Sequence, residues 1–146
     1  MADPAPDDGA EVDPALFDRL AADPLAQLLG IELEQVRPGY ARAGMTVGPR
    51  LLNAVGTAHG GATMALLDVV HAAVSNSHGM VAVAQDVHTE FLTAGRPGER
   101  LVAEGTELHR GRRTAVYRID ARGEDGRLVA TALARVFRTE QPWEPA

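Results

Sequence analysis

Residues Asn53-Ala54-Val55-Gly56-Thr57-Ala58-His59-Gly60-Gly61 lead into an apolar run that is broken by a single acid, Asp68. A glycine-rich turn that opens an apolar helix leaves backbone N–H groups free at the helix N-terminus, where partial positive charge gathers. Asp68 lies about two turns further along the same helix and fixes a negative group there. The amide end is suited to a developing oxyanion, and glycine lets a carbonyl approach with no Cβ in the way. The carboxylate is suited to act as general base or as nucleophile. Each residue also has a plainer reading: a tight turn at Gly60-Gly61, a loop cap at Asn53, a structural His59, and a buried Asp68 satisfied by local hydrogen bonds.

Composition removes several alternatives. The 146 residues contain no cysteine, which excludes disulfides, thiolate nucleophiles and cysteine-ligated metal centres. All 14 basic residues are arginine, so neither Schiff-base chemistry nor a P-loop lysine is available. No Gly-x-Ser-x-Gly elbow occurs, and none of the 5 histidines sits at metal-ligand spacing with a helical carboxylate, so no metal is expected. With 3 Phe, 2 Tyr and 1 Trp and a net charge of −6, a stacking surface for nucleic acid is not expected either. There is no apolar run of transmembrane length and no basic-then-apolar N-terminus, so a cytoplasmic protein without membrane association is expected.

The elements that must position the motif follow from pattern and punctuation. Residues 1–13 carry Asp3, Asp7, Asp8, Glu11 and Asp13 with no base and little apolar content, and read as a disordered acidic leader. Residues 140–146 read as a tail, leaving one domain over 14–139. Asp13-Pro14 and Asp23-Pro24 each read as an N-cap followed by proline at the first helical position, giving two short helices, the second ending at Gly30. From Ile31 the period changes to two, with a hairpin turning at Pro38-Gly39. Residues Ala62 to Ser77 are apolar around nearly the whole circumference, which predicts a helix of roughly 24 Å buried on all sides by protein. Asp68, His71 and Ser75 form a polar stripe on it, expected to face the site or a subunit interface. Four later strands, 80–92, 100–109, 114–122 and 127–138, complete an α+β domain in which a curved antiparallel sheet wraps the central helix.

Over about residues 24–138 the chain resembles the hotdog-fold acyl-CoA thioesterases of the phenylacetate-pathway, PaaI-type branch. The resemblance is carried by Leu29-Gly30-Ile31, Asn53 and Gly56 before His59-Gly60-Gly61, Leu66 and Asp68, Asn76-Ser77 before Gly79, Phe91-Leu92 before Gly98, and Asp125-Gly126 before the last strand. It implies a hydrolase that splits an aryl-, arylacetyl- or medium-chain acyl-CoA into acid and CoA without a cofactor. It implies Asp68 as the catalytic carboxylate, Gly60 as the polarising amide, Asn53 as a residue placing the acyl carbonyl or the water, and His59 as the holder of the loop. Gly61 and His71 are candidates for substrate binding, and Arg110, Arg112 and Arg113 at a strand tip for the CoA phosphates. The resemblance further implies a homodimer with shared active sites, paired into a homotetramer, with the carboxylate and the amide of each site on opposite subunits. Two alternatives share the fold: an enoyl-CoA hydratase, disfavoured by the three-residue spacing from Asp68 to His71, and a non-catalytic acyl-CoA-binding protein.

Overall fold

The computed structural model describes residues 9–144. Two short helices, α1 (Pro14–Ala21) and α2 (Pro24–Leu29), start as their capping residues dictate: Asp13 Oδ1 accepts from Ala15 N–H at 2.8 Å and Asp23 Oδ1 from Ala26 N–H at 3.0 Å, each with proline in the first turn. Strands β1 (Ile31–Arg37) and β2 (Tyr40–Thr46) form the expected hairpin, and a 3-10 turn (Pro49–Leu51) leads into the glycine-rich loop. Helix α3 (Gly60–Ser75) is followed by β3 (Met80–Phe91), β4 (Arg100–Arg110), β5 (Thr114–Arg122) and β6 (Leu128–Pro142). The strands make one antiparallel sheet in the order β1-β2-β4-β5-β6-β3. This is the hotdog arrangement, and no helix among the described residues is long and apolar enough to cross a membrane.

The inward residues of the sheet are mostly small, with Ala41, Ala43, Ala103, Ala115, Ala121, Ala132 and Ala134 all buried. Small residues let α3 lie close in the hollow of the sheet, where Leu66, Leu67, Val70 and Val74 are fully buried, each contributing on the order of 1.5–3 kcal/mol. At Gly105 the approach is so close that a Cβ would stand 2.8 Å from Val70 Cγ1 and 3.2 Å from Val74 Cγ1, so only glycine leaves room for the helix.

Four expectations are revised. Helix α3 begins two residues earlier than the apolar run, at Gly60, because His59 caps it; it ends at Ser75, where Asn76 takes over. Its burial is one-sided: Gly61, Asp68 and Ala72 are exposed and Met64 and Ala65 half-buried, so an apolar stripe with one acid in it stays open in the single chain. The strand β6 continues through Pro142 into the expected tail, and Trp143 N–H donates to Gly79 O at 2.9 Å. That segment is held by partners far away in sequence, which local polarity does not reveal. Of the expected leader, residues 1–8 lie outside the described residues, as do 145–146 of the tail; in between, Val12 N–H donates to Val36 O of β1 at 3.1 Å.

Candidate active site

The loop before α3 is organised by Asn53. Its Oδ1 accepts from Val55 N–H at 3.1 Å and Thr57 N–H at 3.0 Å, its Nδ2 donates to Thr57 Oγ1 at 2.9 Å, and its own N–H reaches Thr57 O at 2.8 Å. The amide side chain thus replaces water for a tight turn. His59 is the N-cap of α3: its Nδ1 accepts from Gly61 N–H at 2.8 Å, and its carbonyl accepts from Ala62 and Thr63. A Cβ at Gly61 would stand 3.1 Å from that Nδ1, so any larger residue would press on the capping imidazole.

These bonds sort the helix-start amides. Gly61, expected among the substrate-binding residues, has its N–H committed to His59, whereas the Gly60 N–H has no acceptor among the described residues. Gly60 borders a cleft of about 360 Å³ lined also by Asn53, Thr63, Phe91, Leu92 and Val129. The Phe91 ring lies over Gly60, with its Cζ 3.6 Å from where a Gly60 Cβ would be. The cleft joins an unpaired helix-start amide to an aromatic wall, which suits a carbonyl with a flat or apolar group attached.

The outer wall of the cleft is set by a residue that the motif reading missed. Arg127 donates from Nη2 to Ala94 O at 3.0 Å and from Nε to Thr93 Oγ1 at 3.3 Å, both positions bordering the cleft. Its remaining guanidinium donors hold Glu99 Oε1 and Oε2 at 3.2 and 2.9 Å and Asp125 Oδ1 at 2.8 Å. All five N–H groups are therefore used, a geometry that suits arginine and not lysine. The hydrogen bond from Arg127 holds the buried Glu99 carboxyl below the usual carboxylate range, against the opposing pull of burial. The local sequence points elsewhere: Glu99 is flanked by Arg96 and Arg100, yet Arg100 pairs with Glu34 and the guanidinium that holds Glu99 comes from Arg127.

The other expected residues are placed apart from the cleft. Asp68 is on the open stripe of α3, its side chain 58% exposed, and does not border the cleft of its own chain. His71 and Ser75 do not continue that stripe: both are buried, His71 against the Tyr117 ring at 5.8 Å between centroids. The arc on a helical wheel is correct, but the sheet approaches α3 from the side on which His71 lies. Asn76 is a structural cap, bonded to Ala72, Ala82 and the Trp143 indole. The arginine tip is at the far end: β4 starts beside Gly95, passes Val70 and Val74, and binds His78 through Glu107 at 3.0 Å. Arg110, Arg112 and Arg113 therefore lie beyond the Ser75 end of α3, about a 24 Å helix length from Gly60 of the same chain. There Arg110 approaches Glu107 at 4.0 Å and Arg112 approaches Glu140 at 3.7 Å.

Comparison with known proteins places this geometry. Residues 55–130 match the model of the Thioesterase superfamily. The acyl-coenzyme A thioesterase PaaI of Escherichia coli is 35% identical over 108 residues, 74% of this chain and 77% of that protein. A relative from Archaeoglobus fulgidus, named only as a candidate esterase, is 36% identical over 123 residues, 84% of this chain and 80% of its own. Among solved structures, the E. coli PaaI protein from the phenylacetic acid degradation operon superposes with a TM-score of 0.83 at 31% identity, covering 86% of this chain and 91% of that one. A hypothetical thioesterase of Streptococcus pneumoniae solved with coenzyme A gives 0.80 at 29% identity, covering 87% and 99%. A free helix-start amide in an aromatic cleft, a carboxylate further along the same helix and these likenesses agree, and the chain belongs to the thioesterase superfamily as a PaaI-type hotdog thioester hydrolase.

Proposed function

We propose that the protein is an acyl-CoA thioesterase whose substrates carry an aryl, arylacetyl or medium-chain acyl group, and that its active form is at least a homodimer. The observation that carries the substrate reading is the Phe91 ring against Gly60, which puts an aromatic wall beside the amide that receives the carbonyl oxygen. The names of its relatives, an acyl-CoA thioesterase and a thioesterase solved with coenzyme A, support CoA as the thiol.

The dimer is supported by what one chain leaves open. Asp68 does not border its own cleft, the stripe of half-buried Met64 and Ala65 and exposed Ala72 around it is only partly covered, and β3 is an edge strand beside it. A second copy laid antiparallel on this surface covers the stripe and extends the sheet from β3. It carries its own Asp68 across toward Gly60, and the tip with Arg110, Arg112 and Arg113 toward the mouth of the cleft, where guanidinium groups suit the CoA phosphates. Pairing of such dimers gives a homotetramer.

In this assembly the Gly60 N–H donates a hydrogen bond to the thioester carbonyl oxygen and polarises the carbonyl. Asp68 of the other subunit takes a proton from water as the water oxygen bonds to the carbonyl carbon, giving a tetrahedral oxyanion. The carbonyl re-forms, the C–S bond breaks, and the CoA thiolate leaves with the proton that Asp68 held; acid and free thiol are the products. A thiol-release assay over aromatic and aliphatic acyl-CoAs tests the reading. Wild type is expected to turn over at least one class, Asp68→Asn to lose roughly 100-fold or more in kcat, and a mixture of Gly60 and Asp68 variants to regain part of the activity. Full activity of Asp68→Asn would overturn the catalytic assignment.

A further inference from the structure

His71 is the one buried histidine whose ring nitrogen lacks a partner among the described residues: it is 1% exposed, and its Nε2 has no hydrogen bond. The nearest hydroxyl-bearing ring, Tyr117, commits its hydroxyl to Glu107 Oε2 at 3.2 Å. On the other side of the imidazole, Nδ1 turns back along α3 to within 3.8 Å of Asp68 Oδ1, the i,i+3 neighbour. A buried ring in an apolar core satisfies one nitrogen or none here, and that one faces the carboxylate.

The tautomer follows from the two environments. An N–H left without an acceptor in the core is among the rarest and costliest orphans, so the ring proton belongs on Nδ1 and Nε2 is bare. The proton then points toward Asp68. The 3.8 Å separation exceeds a hydrogen bond, but the exposed carboxylate needs only a small side-chain rotation to close it, and such contacts are often long before substrate binds.

We infer that His71 is a positioning residue for Asp68: Nδ1–H holds Oδ1 of the carboxylate and leaves Oδ2 as the oxygen that takes the proton from water. The inference rests on the reading of Asp68 as general base. The Tyr117 ring and the packed strands behind it hold the imidazole, so the donor is fixed to the sheet, while the Asp68 carboxylate, 58% exposed in the single chain, has no hydrogen bond among the described residues to fix its rotation.

Three substitutions separate this role from packing. His71→Phe keeps the ring against Tyr117 and removes the donor; His71→Asn places an amide nitrogen where Nδ1 stands; His71→Gln reaches the Nε2 position instead. In the thiol-release assay His71→Phe is expected to lose roughly tenfold in kcat with KM little changed. His71→Asn is expected to recover most of that loss in spite of its smaller volume, and His71→Gln is not. Wild-type kcat in His71→Phe, or equal losses in all three folded variants, overturns the inference. For the unsubstituted protein, long-range nitrogen–proton NMR of the imidazole is expected to show the Nδ1–H tautomer, and an Nε2–H tautomer overturns it even if every variant misfolds. Asp68→Asn keeps the two readings apart. If it stays active, the general-base reading fails; if it is inactive while His71→Phe is normal, the positioning role alone fails.

Discussion

Asp68 stands eight residues beyond Gly60 on α3, about 12 Å of helix rise, and is directed to the open stripe while Gly60 borders the cleft. One rigid element thus carries two groups that face different spaces. In the proposed dimer each helix serves two substrates at once, giving its amide to one and its carboxylate to the other.

Gly60→Ala separates folding from chemistry. The added Cβ meets only the Phe91 ring, at an ordinary 3.6 Å or more, and alanine is a better helix residue than glycine, so thermal stability is expected to hold or rise by about 0.5 kcal/mol. The methyl group occupies the approach of the thioester, so kcat/KM is expected to fall roughly 10- to 100-fold. Calorimetry and steady-state kinetics on the same preparation check both halves.

Arg127→Lys keeps the charge and loses the fork. Three ammonium donors cannot reach Glu99, Asp125, Thr93 and Ala94 together. A stability loss of about 1–3 kcal/mol is expected, with KM for aromatic acyl-CoAs raised more than kcat is lowered, because the wall at Thr93-Ala94 is released while Gly60 is untouched. An unchanged KM would show that the wall is held without this residue.

Asn53→Asp and Asn53→Ala test what the asparagine does. Aspartate keeps an oxygen for the Val55 and Thr57 N–H groups, whereas alanine leaves both unpaired. If the residue serves mainly to shape the loop, Asn53→Asp retains most of the activity and Asn53→Ala destabilises by about 1–2 kcal/mol and loses activity. Equal loss of kcat in both, with the fold intact, assigns the side-chain N–H a direct part in the reaction.

The acid limb of stability is set in part by Glu99. Its folded pKa is lowered by Arg127, so its contribution is complete above the ordinary carboxylate value of about 4.3 and disappears as pH falls through the folded value. Glu34, lowered chiefly by its bond to Arg100, acts in the same direction. Denaturant titrations from about pH 7 to about pH 3 are expected to show stability falling toward acid, and Glu99→Gln to flatten that slope while lowering stability at neutral pH.

What the sequence disclosed was local or periodic. The caps at Asp13 and Asp23 act within three residues, and the hairpin at Pro38-Gly39 is written in its turn, so each was readable. Gly60 and Asp68 stood out as candidates because glycine and a lone acid are conspicuous in an apolar run. The start of α3 was missed by two residues because two glycines are poor helix formers and the cap is an imidazole nitrogen. His71 was placed on the correct arc, but which side of α3 the sheet approaches is a tertiary fact. Arg127 gave no signal because, apart from Asp125, its partners Thr93, Ala94 and Glu99 lie about 30 residues away in the chain; the extension of β6 was hidden for the same reason, its anchor at Asn76 being distant.

The docking of Trp143 makes the protein its own optical gauge. It is the single tryptophan of the chain, and its indole N–H donates to Asn76 Oδ1 at 2.8 Å while Arg19 of α1 lies over its ring at 5.3 Å. Intrinsic fluorescence therefore reports one place, the junction of the last strand, the first helix and the Ser75 end of α3. Unfolding followed by emission will register the release of that junction, and only coincidence with circular dichroism will show that the sheet around Gly60 has opened in the same step.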